Sequence, residues 1–307
     1  MVQAESGTGK GMTSGNSTAP QTSWSKTSWP VVVFAALWAV PQRTAVNLAQ
    51  AIIVLCRAPR MGLPPVRAGA WIVAAITVAV IVASIFLLDA KASDWARHLP
   101  QSVLDAADEI TNFGLSGRFL YPLGFIILFL AAIITASLPR FTRGVLEALI
   151  ARFGFLFVAI GLPSLFDTIV KRMIGRARPY IGPHDDPFSF KPFIWMPEYS
   201  SMPSGHATTA AAAAIAFGAI WPRLRPVMWL YAFAIMFTRV VVNVHHPSDV
   251  IAGGLVGVAG ALMVRRWFAA RRLVFFADDL RPFPRPSWRR LKAAAEQVVS
   301  TMKTPAR

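Results

Sequence analysis

Residues 70–88 read AWIVAAITVAVIVASIFLL and contain no charged side chain. A helix needs about 20 predominantly apolar residues to cross the hydrocarbon core of a bilayer. Charges stand just outside the run, at Arg67 before it and at Asp89 and Lys91 after it, where a spanning helix would meet water. The stretch therefore predicts a helical membrane protein.

Five further apolar runs extend this pattern. They cover residues 119–138, 153–170, 206–221, 227–244 and 250–268. The runs 206–221 and 227–244 are short for a full crossing unless their helices are tilted. Together with residues 70–88, these runs predict an all-α fold, an integral membrane six-helix bundle.

The composition agrees with a bilayer environment. Of the 307 residues, 55% are hydrophobic and 15% are charged, and the mean hydropathy is +0.49. Soluble globular proteins carry about 25% charged residues. A disordered chain, a secreted disulfide scaffold and a soluble nucleic-acid binder are therefore excluded, and the single cysteine, Cys56, cannot form a disulfide within the chain.

The net charge of +16 is explained by topology. Membrane proteins retain Lys and Arg in their cytoplasmic loops. The loops before the first run, between the second and third, between the fourth and fifth, and after the sixth fall on one face, which we expect to be cytoplasmic. Their arginines include Arg57, Arg60, Arg67, Arg140, Arg143, Arg223, Arg225, Arg265, Arg266, Arg271 and Arg272. We expect these cations to face membrane lipids, with no nucleic-acid partner.

The apolar runs divide the chain into four parts. Residues 1–29 are rich in Ser, Thr and Gly and predict a flexible tail. Residues 30–66 predict an interfacial or amphipathic pair of short helices, because Pro41, Gln42 and Arg43 interrupt the apolar run. Residues 67–268 form the six-span domain, and residues 269–307 form a basic cytoplasmic tail. Gly253 and Gly257 predict close helix packing inside one bundle.

Three motifs lie at the external ends of the predicted spans. They are K-x6-R-P at Lys171, Arg178 and Pro179; P-S-G-H at Pro203, Ser204, Gly205 and His206; and R-x5-H-x3-D at Arg239, His245 and Asp249. The first motif places cations on the external face, against the usual charge rule. Such cations need a local reason, and an anionic ligand supplies one.

The cations and the helix start predict a phosphate site. Lys171, Arg178 and Arg239 offer three positive charges, which suit the several oxygens of a phosphate. Ser204 and Gly205 precede the fourth run, so backbone amides at the start of that helix would point at an anion.

The two histidines of these motifs divide the remaining chemistry. Asp249 can hold one imidazole nitrogen of His245 protonated and leave the other free to attack phosphorus. His206 is then the candidate general acid for the leaving oxygen. His246 competes with His245 as nucleophile, but it precedes Pro247 and its spacing to Asp249 is off by one.

Three neighbouring charges have other interpretations. Asp167 stands four residues before Lys171, which favours a simple ion pair over a catalytic role. Arg172 and Arg176 are interpreted either as solvated loop cations or as contacts to a second phosphate or an acidic headgroup.

The three motifs resemble those of the type-2 phosphatidic acid phosphatase family, membrane lipid phosphatases related to vanadium haloperoxidases. The resemblance covers roughly residues 70–268, and the one departure is Thr238, where the family often has Ser. It implies phosphate transfer through a phosphohistidine, with no metal and no cofactor.

The predicted function is hydrolysis of a phosphomonoester or pyrophosphate on a lipid. Candidate substrates are undecaprenyl pyrophosphate, phosphatidylglycerol phosphate, phosphatidic acid and the lipid A 1-phosphate, which the sequence does not rank. The alternatives are a lipid phosphotransferase on the same site, a non-enzymatic anion transporter, and a metal-dependent hydrolase. The preference for Arg and Ala indicates a bacterial inner membrane, with the site on the periplasmic side. No protein partner is indicated.

Overall fold

The computed structural model describes residues 28–303 except 64, 67 and 182–185, with side chains described from residue 38 to residue 301. The described residues divide into two units, with the boundary between Val40 and Pro41. The predicted flexible tail lies outside the described residues except for positions 28 and 29, which begin the first helix. All the site residues lie in the second unit.

Ten α-helices make up the described part of the chain. They are α1 (Ser28–Cys56), α2 (Ala68–Leu87), α3 (Asp89–Arg97), α4 (Gln101–Thr111), α5 (Ser116–Ile133), α6 (Arg140–Ile174), α7 (Gly205–Ile220), α8 (Arg225–Val241), α9 (Pro247–Ala270) and α10 (Trp288–Lys303). Within these described residues there is no β-strand, and two isolated bridges are the only β-type pairings. The predicted all-α class is confirmed.

Six described helical segments are long and apolar enough to cross a membrane. They are Trp38–Cys56, Ala68–Leu87, Gln101–Ile133, Arg140–Ile174, Pro222–Val241 and Pro247–Ala270. The number agrees with the prediction, but the set differs. The first segment belongs to α1, which continues through Pro41 where the sequence predicted two short helices. A proline inside a membrane helix is tolerated when neighbouring groups satisfy the backbone that it frees.

Helix α7 replaces one predicted span with a short buried helix. It has 16 residues, of which 12 are buried, and most of these are alanines. Because protein rather than lipid surrounds α7, its length need not match the bilayer thickness. Residues 206–221 are therefore apolar because they lie in the core of the bundle.

Helix α9 packs closely against α7. A Cβ added at Gly253 would overlap the carbonyl oxygen of Ser204, and one added at Gly257 would overlap the carbonyl oxygen of Thr208. Only glycine permits this approach, so the predicted role of the glycine pair in packing inside the bundle is confirmed. The contact also fixes the start of α7 beside the start of α9.

Different segments of the chain meet at the two ends of the bundle. One end brings together the last turns of α2, α6 and α8 with the first turns of α7 and α9. At the other end, the backbone N–H of Arg60 donates to Ala270, and Arg152 Nη2 donates to the carbonyl of Pro284 at 2.9 Å. Thr142 on α6 also donates to Gln297 on α10. The predicted cytoplasmic loops therefore meet at one end, opposite the motifs.

Candidate active site

Lys171 stands in the last turn of α6 and faces the first residue of α7. Its Nζ lies 2.6 Å from Asp167 Oδ2, so the predicted ion pair is present. A Cβ added at Gly205 would lie 3.0 Å from that Nζ, which makes the first turn of α7 a direct neighbour of the ammonium. Thr208 Oγ1 donates to Asp167 at 3.1 Å and ties the pair to α7.

Gly175 ends α6 and turns the chain back over the site. Its φ is +63°, and a Cβ there would overlap the carbonyl oxygen of Lys191. Glycine is therefore required for both its left-handed conformation and the close approach. The turn brings Arg178 beside Glu198, and the backbone N–H of Arg178 donates to the carbonyl of Glu198 at 2.8 Å.

The start of α7 is held by α9. The backbone N–H of Ser204 donates to the carbonyl of Asp249 at 3.0 Å. The amide of Ser204 is thus occupied, contrary to the expectation that it points at an anion. The Ser204 hydroxyl is buried and has no hydrogen-bond partner among the described atoms. Because helix N–H groups in the first turn lack intrahelical acceptors, the amide of Gly205 remains suited to an anion.

Arg239 lies in the last turn of α8, at the same end of the bundle as the start of α7. Its Nη1 donates to Thr111 Oγ1 at 2.9 Å, and its Nε is buried with no described partner, as is that of Arg178. Burial lowers the pKa of His206, and the charges of Arg239, Lys171 and Arg178 all lower it further, so these four side chains lie close together. The three predicted phosphate-binding cations and the predicted acid are therefore brought into one cluster.

His245 lies in the connection between α8 and α9 and is buried. Burial lowers the pKa of His245 to about 4, against the opposing effect of the Asp249 carboxylate, and the charges of Arg239 and Arg178 lower it further. The imidazole is neutral at neutral pH as a result. A neutral imidazole is the form that can attack phosphorus.

Asp249 does not bind His245 directly. Its Oδ2 lies 3.8 Å from His245 Nδ1, which is too far for a hydrogen bond. The same oxygen accepts from Ser201 Oγ at 2.6 Å and from the backbone N–H of His246 at 2.9 Å. The expected carboxylate–imidazole contact is therefore replaced by a buried serine between the two groups.

His246 is used structurally. It is the N-cap residue of α9, where its side chain and that of Asp249 form a capping box. Its Nδ1 lies 3.3 Å from Ser93 Oγ, and the residue is 1% exposed. These contacts support the choice of His245 over His246 as the nucleophile.

Arg176 is fully buried, which neither interpretation of this residue anticipated. Its Nη1 lies 2.5 Å from Asp249 Oδ1, and its Nη2 lies 2.7 Å from Asp89 Oδ2. Nη1 also donates to Ser248 Oγ at 2.6 Å. Sequence reasoning used Asp89 only as a span boundary. A carboxylate placed directly after an apolar run was the available signal that it has a buried partner.

Arg172 is also not a solvated cation. Its guanidinium lies 5.6 Å from the centre of the Trp195 ring, in a cation–π arrangement.

The chain matches known proteins over most of its length. The model of the PAP2 superfamily matches residues 152–273. A lipid A 1-phosphatase of Rhizobium johnstonii is 34% identical over 217 residues, which cover 70% of this chain and 86% of the relative. A lipid A 1-phosphatase of Rhizobium etli is 34% identical over 215 residues, covering 69% and 90%.

Two further matches are shorter or more distant. A decaprenylphosphoryl-5-phosphoribose phosphatase of Mycobacterium tuberculosis is 34% identical over 154 residues, 50% of this chain and 77% of that one. A PAP2 type phosphatidylglycerolphosphate phosphatase structure from Bacillus subtilis aligns with a TM-score of 0.43 and 18% identity, covering 62% of this chain and 93% of that one. The identity and coverage of the lipid A 1-phosphatases establish that this chain belongs to the PAP2 superfamily and confirm it as a membrane lipid phosphatase.

Proposed function

We propose that this membrane lipid phosphatase removes the phosphate at position 1 of lipid A. The observation that carries the proposal is the match to two lipid A 1-phosphatases across 86% and 90% of their lengths. Those alignments of 217 and 215 residues extend well beyond the segment 152–273 that the family model matches. The similarity therefore includes helices outside the catalytic motifs.

The proposed reaction proceeds through a phosphohistidine on His245. Nε2 of His245 attacks phosphorus, the bond from phosphorus to the sugar oxygen breaks, and His206 gives its proton to that oxygen. Water then gives a proton to His206 and attacks the phosphorus, the bond to Nε2 breaks, and inorganic phosphate leaves. The buried, neutral state of His245 supports its role as nucleophile.

Lys171, Arg178 and Arg239 would hold the phosphate oxygens during both steps. A phosphoryl transition state is stabilised mainly by positive groups placed in advance. The bound phosphate would bring negative charge among the three cations, which favours the protonated His206 that the first step needs.

We further propose that the reaction needs no metal ion. Among the described residues, no group of three or more His, Cys, Asp and Glu side chains could hold a metal. The three cations would supply the charge that a metal provides in other phosphatases. Full activity of the purified protein after treatment with EDTA is the expected result, and a loss that added divalent ions restore would contradict it.

A panel of lipid phosphates tests the substrate. Purified protein in detergent should release phosphate from lipid A faster than from undecaprenyl pyrophosphate, phosphatidic acid or phosphatidylglycerol phosphate. His245→Ala should abolish release, while His98→Ala, at an exposed histidine on the surface of the same end, should not change it. Transfer of phosphate to an added lipid without release would favour the phosphotransferase. A complete lack of phosphate release from every lipid would favour the anion transporter.

The proposed location is a bacterial inner membrane with the site on the periplasmic side. The gathering of arginines at the opposite end of the bundle supports this orientation. Cys56 is exposed, so the test uses a Cys56→Ser background. In intact cells, an impermeant thiol reagent should label Trp195→Cys, which is 80% exposed at the site end, and not Leu224→Cys at the other end. The reverse pattern would invert the topology.

A further inference from the structure

A buried serine lies between the proposed nucleophile and its carboxylate. Asp249 Oδ2 and His245 Nδ1 are 3.8 Å apart, and a separation of about 3.6 Å or more is not a hydrogen bond. Ser201 Oγ lies 2.6 Å from Asp249 Oδ2, a short hydrogen bond, and 3.5 Å from His245 Nδ1, a long one. Ser201 is 0% exposed, so bulk water does not compete for its hydroxyl. The carboxylate therefore reaches the imidazole through this hydroxyl.

The donor and acceptor roles of the hydroxyl follow from its two neighbours. A serine hydroxyl has one hydrogen to donate and two lone pairs to accept with. An ionised carboxylate only accepts, so the hydrogen of Ser201 points at Asp249. The free lone pairs of Ser201 Oγ then face His245 Nδ1 and favour a proton on that nitrogen. The tautomer so selected leaves Nε2 of His245 unprotonated.

Arg176 holds both this serine and its carboxylate partner in place. Its side chain lies 2.5 Å from Asp249 Oδ1, and its own carbonyl accepts from the backbone N–H of Ser201 at 3.1 Å. The guanidinium is itself held by Asp89 at 2.7 Å. One immobile residue thus sets the position of the serine relative to the carboxylate.

We propose that Ser201 is a positioning residue for His245, and that Arg176 holds Ser201 and Asp249 in the register this requires. The inference rests on the proposed phosphohistidine mechanism. As the bond from Nε2 to phosphorus forms and the bond from phosphorus to the leaving oxygen breaks, Nδ1 keeps its proton. The positive charge that the ring acquires is balanced by Asp249 through the Ser201 hydroxyl.

The test compares three serine variants of the full-length protein in detergent. Ser201→Ala should lower kcat about 10- to 100-fold, as the loss of a residue that orients a reactive ligand does, and should leave KM within about threefold. Ser201→Thr keeps the hydroxyl and should recover most of the loss. Ser200→Ala is the matched control, because the neighbouring Ser200 is also buried but donates to Met196 in its own loop.

The outcomes separate a failure of the proposed role of Ser201 from a failure of the phosphohistidine mechanism on which that role depends. An unchanged kcat in Ser201→Ala, or equal losses in Ser201→Ala and Ser201→Thr at equal thermal stability, would overturn the positioning role. A raised KM with normal kcat would also overturn it, since the serine would then act on substrate binding. If His245→Ala retained turnover, the proposed mechanism itself would fail. If His245→Ala is inactive while Ser201→Ala is normal, only the role of Ser201 fails.

Discussion

Arg176 and Arg239 are both buried at the same end of the bundle, but their charges are compensated differently. Arg176 is 0% exposed and contacts two carboxylates, those of Asp89 and Asp249. Arg239 is 7% exposed, donates to the hydroxyl of Thr111, and has no ion pair among the described residues. A buried charge without a partner is costly, whereas a paired one is tolerated. The difference supports the proposed roles of Arg176 in the scaffold and of Arg239 in binding phosphate.

The groups around the two arginines also differ in charge. Asp89, Ser248 and Asp249 surround Arg176 and leave none of its charge for a substrate. Arg239 shares its surroundings with other cations, and the charges of Arg178 and Lys171 act on the same histidine as its own. Lys171 is paired with Asp167 at 2.6 Å, so the repulsion that a bound phosphate would relieve is mainly that between Arg239 and Arg178.

The largest expected effect is on folding, from Arg176→Met. The change leaves Asp89 and Asp249 as buried carboxylates without their cation, which costs about 3–5 kcal/mol of unfolding free energy. We expect a large fall in the thermal midpoint in detergent, or failure to accumulate in the membrane.

Arg97→Met is the matched control for this prediction. Arg97 forms an exposed ion pair with Asp94 at 3.2 Å, and such pairs contribute at most about 1 kcal/mol. A thermal midpoint for Arg176→Met as high as that of Arg97→Met would remove the structural role of the buried network.

The next effect is on turnover, from Arg239→Lys. A guanidinium can hold two phosphate oxygens at once, whereas an ammonium acts as a point charge. If Arg239 acts chiefly in the transition state, kcat should fall about 10²-fold or more while KM changes little and the thermal midpoint stays the same.

Arg118→Lys provides the control for this exchange. Arg118 is exposed and lies over the ring of Phe113 at the same end of the bundle. Its replacement should leave kcat unchanged. Near-normal turnover in a well-folded Arg239→Lys protein would mean that the reaction does not need a guanidinium at this position, and would contradict the proposed role of Arg239 in the transition state.

The sequence predicted only part of this contrast between the two arginines. The spacing of the motifs predicted that Lys171, Arg178 and Arg239 would meet at one end of the bundle, because each motif stands at a span end. The partner of Arg176 was not predictable in this way, since Asp89 is 87 residues away and nothing local links them. The position of Ser201 between Asp249 and His245 depends on differences of about 1 Å, which sequence spacing does not resolve.

The fold shows the same division between strong and weak signals. Hydropathy correctly predicted a helical membrane protein with six candidate spans among the residues described. It did not distinguish a run that faces lipid from one that faces protein. Residues 206–221 are apolar because α7 is surrounded by other helices, and the interrupted run ending at Cys56 belongs to one continuous helix.

The smallest expected effect is the pH dependence of stability that His245 contributes. Burial lowers the pKa of His245 to about 4 in the folded protein, and in the unfolded chain it should be near 6.5. Between these values the unfolded state binds more protons, so acidification from pH 6.5 towards pH 4.5 destabilises the fold, and above pH 6.5 the contribution is constant. The loss amounts to about 2 kcal/mol over that range.

His245→Gln removes this titrating group while keeping a polar side chain of similar length. Its thermal midpoint should therefore fall less steeply than that of the wild type between pH 6.5 and pH 4.5, at a fixed heating rate, and the two curves should run parallel above pH 6.5. The carboxylates and the other histidines titrate in both proteins, so the difference isolates His245. Parallel curves over the whole range would mean that His245 is not held neutral by burial. The nucleophile would then need another source of activation than its place between Ser201 and the neighbouring arginines Arg178 and Arg239.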